Sequence, residues 1–154
     1  VRSGSPWPVA RVDGPRAPEQ SAFEPMQEGD VMTTLEVGKK LVELCKKGQN
    51  HAAMDALYSP DIVSVEAASM PNMPAETRGI AGVAAKGKWW ADNHEIHSAT
   101  TDGPYPNGNR FIVRFQYDIT NKPANRRMTM DEMALFTVEN GKIVREEFFY
   151  TTEG

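Results

Sequence analysis

The segment from Arg126 to Tyr150 constrains this chain more than any other, because it can form only one kind of local structure. Two runs rich in β-branched and aromatic residues flank Asn140-Gly141, the pair best suited to the positive φ angles of a tight type I′ turn. The spacing predicts a long antiparallel hairpin. Side chains alternate across a strand, so Met128, Met130, Ala134, Phe136 and Val138 share one face, with Glu132 set into that apolar row. In the second run Val144, Phe148 and Tyr150 share a face with Glu146. A carboxylate in an apolar surface either has a structural partner or does chemistry, so both glutamates are candidates.

The rest of the chain is read as what covers that face. A length of 154 residues suits one domain with one sizeable core. The formal net charge of -4, with no long Lys/Arg block, argues against a nucleic-acid partner. No apolar run reaches the roughly 20 residues that span a bilayer, so no membrane partner is expected. A single cysteine, Cys45, cannot form an internal disulfide, which fits a reducing, cytoplasmic setting. Residues 1–31 carry Pro6, Pro8, Pro15, Pro18 and Pro25, and read as a flexible Pro/Gly-rich leader. The competing expectation is an arm that packs on a partner subunit through Trp7 and Phe23. Residues 32–154 form the predicted domain.

Within that domain Thr33-x-x-Glu36 is a capping box, followed by Val37, Leu41, Leu44 and Cys45 at helical spacing and by Gly48 as a left-handed stop. A second helix from Asn50 buries Ala53, Met54, Leu57 and Tyr58, and Pro60 ends it. The run from Asp61 alternates as a strand that sets Ile62, Ser64 and Glu66 on one face, and Val63 and Val65 on the other. A short extended piece at Glu76–Arg78 and a third helix from Gly79 to Asn93 follow, with Ile80, Val83, Ala84, Gly87 and Trp90 as its inner stripe. Then come a strand over Glu95–Thr101, a turn-rich loop DGPYPNGN, and a strand whose Phe111, Val113, Phe115, Tyr117 and Ile119 share a face. Helices followed by antiparallel strands predict an α+β domain.

The stretch LYSPDIVSVEA, the helix that begins at TRGI and contains KWW, and the ending VENGKIVREEFFY resemble the SnoaL-like group of the nuclear transport factor 2-like superfamily, over residues 33–150. The resemblance implies a cone-shaped, curved antiparallel sheet packed against three helices around one internal cavity, often in a homodimer. It also implies a spread of functions: polyketide cyclases, ketosteroid isomerases, dehydratases, and proteins that only bind or scaffold. Ketosteroid isomerases place a general base late on the first strand, after a helix-ending aromatic residue and an acidic turn. Tyr58, Asp61 and Glu66 match that spacing. Cyclases and isomerases alike carry a catalytic aspartate on the strand before the hairpin glycine, and here Ala134 stands there. Glu132 lies one strand repeat away, about 7 Å. Where cyclases tend to have a histidine after the GKI turn, this chain has Glu146.

Glu66 and Glu132 are therefore the candidate catalytic residues, with Glu66 as the proton-transferring base. Tyr58, Trp90, His97, Tyr117, Met130, Phe136, Glu146, Phe148 and Tyr150 are the candidate pocket lining. The competing reading pairs each glutamate with Arg78, Arg114 or Arg127 in a structural ion pair. His94-Glu95-Ile96-His97 is one residue short of the zinc motif H-E-x-x-H, and on a strand its histidines face opposite ways, so neither metal nor cofactor is expected. Three functions stay open: a cofactor-free acid–base enzyme of the cyclase, isomerase or dehydratase type, a binder of a small apolar or aromatic ligand, and a dimeric scaffold with a vestigial cavity. A homodimer through Val63, Val65, Leu135, Ile143 and Phe149 on the second sheet face is the expected assembly.

Overall fold

Asn140 and Gly141 adopt φ angles of 49° and 72°, and Glu139 pairs with Lys142 across them, so the two-residue turn forms as its chemistry dictates. A Cβ at Gly141 would stand 2.7 Å from Val31 Cγ1 and 3.2 Å from the Met32 nitrogen. Glycine is thus demanded both by the backbone angle and by the chain lying over the turn. The computed structural model describes residues 31–151. The expectations for the leader, including the Trp7 and Phe23 arm, lie outside the described residues.

Helices α1 (Thr34–Lys46), α2 (Asn50–Leu57) and α3 (Ile80–Asn93) accompany strands β1 (Tyr58–Val65), β2 (Glu76–Arg78), β3 (His94–Asn107), β4 (Arg110–Asn121), β5 (Arg126–Glu139) and β6 (Lys142–Phe149). The Thr33 side chain accepts from the Glu36 backbone N–H at 3.2 Å, and Gly48 closes α1 at φ 70°. The α+β class and the three helices are as expected. The strands form one open sheet in the order β2-β1-β6-β5-β4-β3, and irregularities in register along β1, β3 and β6 bend it. Its core is Val37, Leu41, Leu57, Ile62, Val83, Phe111, Val113, Ala134, Phe136 and Ile143, with Phe111 stacked on Phe136 at 5.0 Å. No helix among the described residues is long and apolar enough to cross a membrane.

Three local expectations are corrected. The sheet is mixed, because β1 runs parallel to β6; the chain crosses to the far edge through α3 and returns beside β1 in the same direction. The predicted loop DGPYPNGN is mostly strand, since β3 continues to Asn107 with a register shift between Asp102 and Tyr105. Strand β3 is an edge, where prolines cost no ladder hydrogen bond, and Gly103 takes φ 134° at the shift. Finally, Ile143 belongs to the core rather than the outer face. Val138 pairs with Ile143 and Thr137 with Arg145, so Val144 is an extra residue, and this bulge turns Ile143 and Glu146 to the same side.

Candidate functional site

Strands β1, β6 and β5 carry Ser64, Glu146 and Glu132 on the helix-covered side of the sheet, and Glu66 follows directly on β1. Parallel pairing sets Ser64 beside Glu146, and Glu146 is 2% exposed. Both of its oxygens are occupied. The Tyr58 hydroxyl donates to Oε2, and Ser64 Oγ donates to Oε1 at 2.7 Å. Burial pushes the Glu146 pKa up, while these two hydrogen bonds and the Lys86 charge pull it back. Burial and then the Glu146 charge hold the Tyr58 hydroxyl well above its ordinary value, so Tyr58 stays a donor.

Lys86, on α3, ties this group to the next one. Its Nζ donates to Ser64 Oγ at 2.5 Å and to Glu66 Oε1 at 2.8 Å, and lies 5.4 Å from the centre of the Phe148 ring. Ser64 spends its one proton on Glu146, so it accepts from Lys86 and passes the lysine's field inward. The other oxygen of Glu66 accepts from the Tyr150 hydroxyl at 2.8 Å. Glu66 is thus a paired carboxylate, as the competing reading held, but with a different partner. Arg78 pairs with Glu76, Arg114 with Asp131 at 2.7 Å, and Arg127 with Asp118 at 2.8 Å.

Glu132 has no such partners. It sits opposite Phe115 of β4, and among the described residues no hydrogen bond reaches its carboxyl. Burial first, then the charges of Glu66 and Glu146, push its pKa up to about 7, against the pull of Lys86. Tyr117 is raised in turn, by burial and then by Glu132. A half-buried carboxyl that is half-ionised near neutrality can both take and return a proton. Glu132 and Glu66 border two open depressions at the end of the sheet. One, of about 470 Å³, opens on the outer face among Arg114, Asp131, Met133 and Phe149 and reaches the strands at Glu132 and Tyr150; the other, of about 360 Å³, lies at the strand ends among Val65, Glu66, Glu147, Phe148 and Tyr150.

The remaining candidates divide. Trp90 and Tyr117 meet at 5.4 Å, and half-buried Met130 stands opposite Tyr117. Phe136, 2% exposed, is core. His97 is exposed and hydrogen-bonds Thr120 Oγ1 at 2.7 Å, away from the carboxylates, because the register shift between Ile96 and Ser98 leaves it unpaired on the edge strand. His94 turns inward instead, stacking on Trp90 at 4.6 Å with Nδ1 against the Trp90 carbonyl at 2.7 Å. Trp89 is 41% exposed. Ala134, where the resemblance places an aspartate, is fully buried between Val113 and Phe148. Among the described residues no group of three or more His, Cys, Asp or Glu side chains could hold a metal ion.

Lys86 and the role of Ser64 escaped the sequence reading, though a signal was there. Val83, Lys86, Gly87 and Trp90 lie at i, i+3, i+4 and i+7, so Lys86 belongs to the inner stripe of α3. A lysine in an apolar stripe needs an anion as its partner, just as the misplaced glutamates need a cation.

A family model described as a SnoaL-like domain matches residues 32–150. A solved Mesorhizobium loti protein, named as a candidate SnoaL-like polyketide cyclase and also a carbohydrate phosphatase, is 43% identical; the match covers 77% of this chain and 100% of that one at a TM-score of 0.74. A Bacillus subtilis protein named as a candidate isomerase shares the fold at 16% identity and a TM-score of 0.64, over 78% of this chain and 90% of that one. A Catenulispora acidiphila protein with a ketosteroid isomerase-like fold, solved with trimethylamine, does so at 19% identity and a TM-score of 0.60, over 77% and 88%. None of the curated proteins compared with the chain matches it.

Proposed function

The chain belongs to the SnoaL-like domain family, and on that premise we propose that it holds a small apolar or aromatic molecule and moves a proton on it, with Glu132 as the acid–base group. One observation carries this reading: of three glutamates gathered at one side of the sheet, Glu132 alone has no hydrogen-bond partner among the described residues and is poised at about 7. Glu66, the base expected from spacing, is held by Lys86 and Tyr150 and acts instead as a fixed negative charge that raises the proton affinity of Glu132. The reaction class is proton transfer next to a carbonyl or hydroxyl, as in isomerisation, cyclisation or dehydration, with a side chain and no cofactor as the proton carrier.

The test follows hydrogen exchange beside the carbonyl of a small cyclic enone in deuterated buffer, by NMR, with native protein and with Glu132→Gln. Exchange should rise with pH through about 7 and be lost in the variant. Equal exchange in both proteins would sink the proposal. The buried alanine at position 134 favours a second reading, a pocket that binds without turnover, and ligand retention without exchange in either protein would select it.

We further propose a homodimer through the outer sheet face. Tyr105, Ile112 and Leu135 form one cross-strand row and Met133 and Phe149 another, and Phe149 is 55% exposed. A monomer in sedimentation at micromolar concentration would refute it. A cytoplasmic setting is proposed from Cys45, a single free cysteine that fits a reducing compartment.

A further inference from the structure

Tyr150 stands where the two depressions meet. Phe149 and Tyr150 line both of them; Phe149 belongs to the outer sheet row, and Tyr150 is the one of the two whose side chain reaches Glu66. Its backbone lies past the last strand pairs on either side, Met133 with Phe149 and Val65 with Glu147. What anchors the side chain is its hydroxyl, which donates to Glu66 Oε2 at 2.8 Å and has the Ala67 backbone N–H beside it. The same carboxylate is gripped on its other oxygen by Lys86, itself beside the Phe148 ring. The chain's own phenol is therefore seated against a fixed acceptor, a cation and an aromatic ring, without being locked in by the sheet.

We infer that Tyr150 is a displaceable internal occupant, holding the place of a ligand ring that carries a hydroxyl, a phenol or an enol. The inference rests on the proposed reading of this end of the sheet as a ligand site and adds the ligand's hydroxyl and the residue it displaces. Any molecule that moves Tyr150 aside strips a half-buried carboxylate oxygen of its donor, and an unpaired carboxylate oxygen is costly. The incoming ring must supply a hydroxyl donor of its own. With Tyr150 swung out, the depression of about 360 Å³ extends into the space its ring held, where Glu66 anchors the ring hydroxyl beside Lys86 and Phe148. The unliganded chain shields its own site, and the cost of moving Tyr150 lowers the apparent affinity.

The experiment titrates 4-nitrophenol, whose absorbance separates phenol from phenolate, and its methyl ether 4-nitroanisole into the full chain and into Tyr150→Ala. The alanine variant should bind 4-nitrophenol at least about tenfold tighter than the native chain, on the scale of one hydrogen bond to a charged group. The bound molecule should absorb as the phenol, and 4-nitroanisole should bind the variant about tenfold more weakly than 4-nitrophenol does. Tyr150→Phe, which keeps the ring and removes only the tether, should fall between the native chain and Tyr150→Ala and guards against misfolding in the larger truncation. Equal affinity for all three proteins, or equal affinity for the phenol and its ether, would overturn the inference. Glu132→Gln in the Tyr150→Ala background should keep the phenol. Phenol binding that survives this change, beside a Glu132 that titrates as an ordinary carboxylate, would defeat the acid–base proposal and leave this one standing.

Discussion

Glu146 and Glu132 project from neighbouring strands toward the same side of one sheet, and they have opposite fates. Glu146 is sealed in, with Tyr58 and Ser64 on its two oxygens and Lys86 one hydrogen bond behind. Glu132 is half-buried, and among the described residues nothing donates to it. Burial raises both, but only Glu146 is given donors that offset the cost of being charged. A misplaced carboxylate becomes structural when its hydrogen bonds are made and chemically available when they are not.

The largest effect that would break this contrast belongs to Glu146→Ala. Removing the acceptor strands two buried hydroxyls, and urea unfolding should show a loss of about 3–5 kcal/mol; a loss below about 1 kcal/mol would mean that Glu146 is not the structural member. Next in size is Lys86→Met, which leaves Glu66 uncompensated. The pair is partly open, with side-chain exposures of 13% and 19%, so a loss of about 2–3 kcal/mol is expected. With the lysine's pull removed, carboxyl NMR should also find Glu132 titrating above its native value of about 7. An unmoved Glu132 would uncouple the two groups.

A third measurement uses the sign of the Glu132 shift. Its pKa rises from 4.5 to about 7 on folding, so between those values the native state holds a proton that the unfolded chain does not. Stability therefore falls as pH climbs through that window and stays lower above it. Glu132→Gln should match the native chain near pH 4.5 and exceed it by about 2–3 kcal/mol above pH 7. Some slope should remain in the variant, since Glu146 is raised as well. A variant less stable than the native chain at high pH would show Glu132 to be paired. The smallest effect is that of Ser64→Ala, which removes one donor to Glu146 and interrupts the link to Lys86, for about 1 kcal/mol. A neutral outcome would leave Tyr58 as the only donor that matters.

Much of the fold was legible because its determinants are local. The positive φ angles at Asn140 and Gly141, the Thr33–Glu36 cap, and the alternation of Phe111, Val113, Phe115, Tyr117 and Ile119 each depend on residues a few positions apart, and sequence alone determined them. Alternation likewise put Glu66, Glu132 and Glu146 on the covered side. It could not say which of them would be paired. That was decided by contacts across 20 residues, from Lys86 to Glu66, and across 82 and 88, from Glu146 to Ser64 and Tyr58, and by a parallel β1–β6 alignment that no local signal encodes. The bulge at Val144 acted in the same way, carrying Ile143 into the core against its period. Propensity and turn chemistry act along the chain, whereas desolvation and hydrogen-bond partners belong to the packed interior, so only the tertiary structure separated the carboxylate that holds the fold from the one free to exchange a proton.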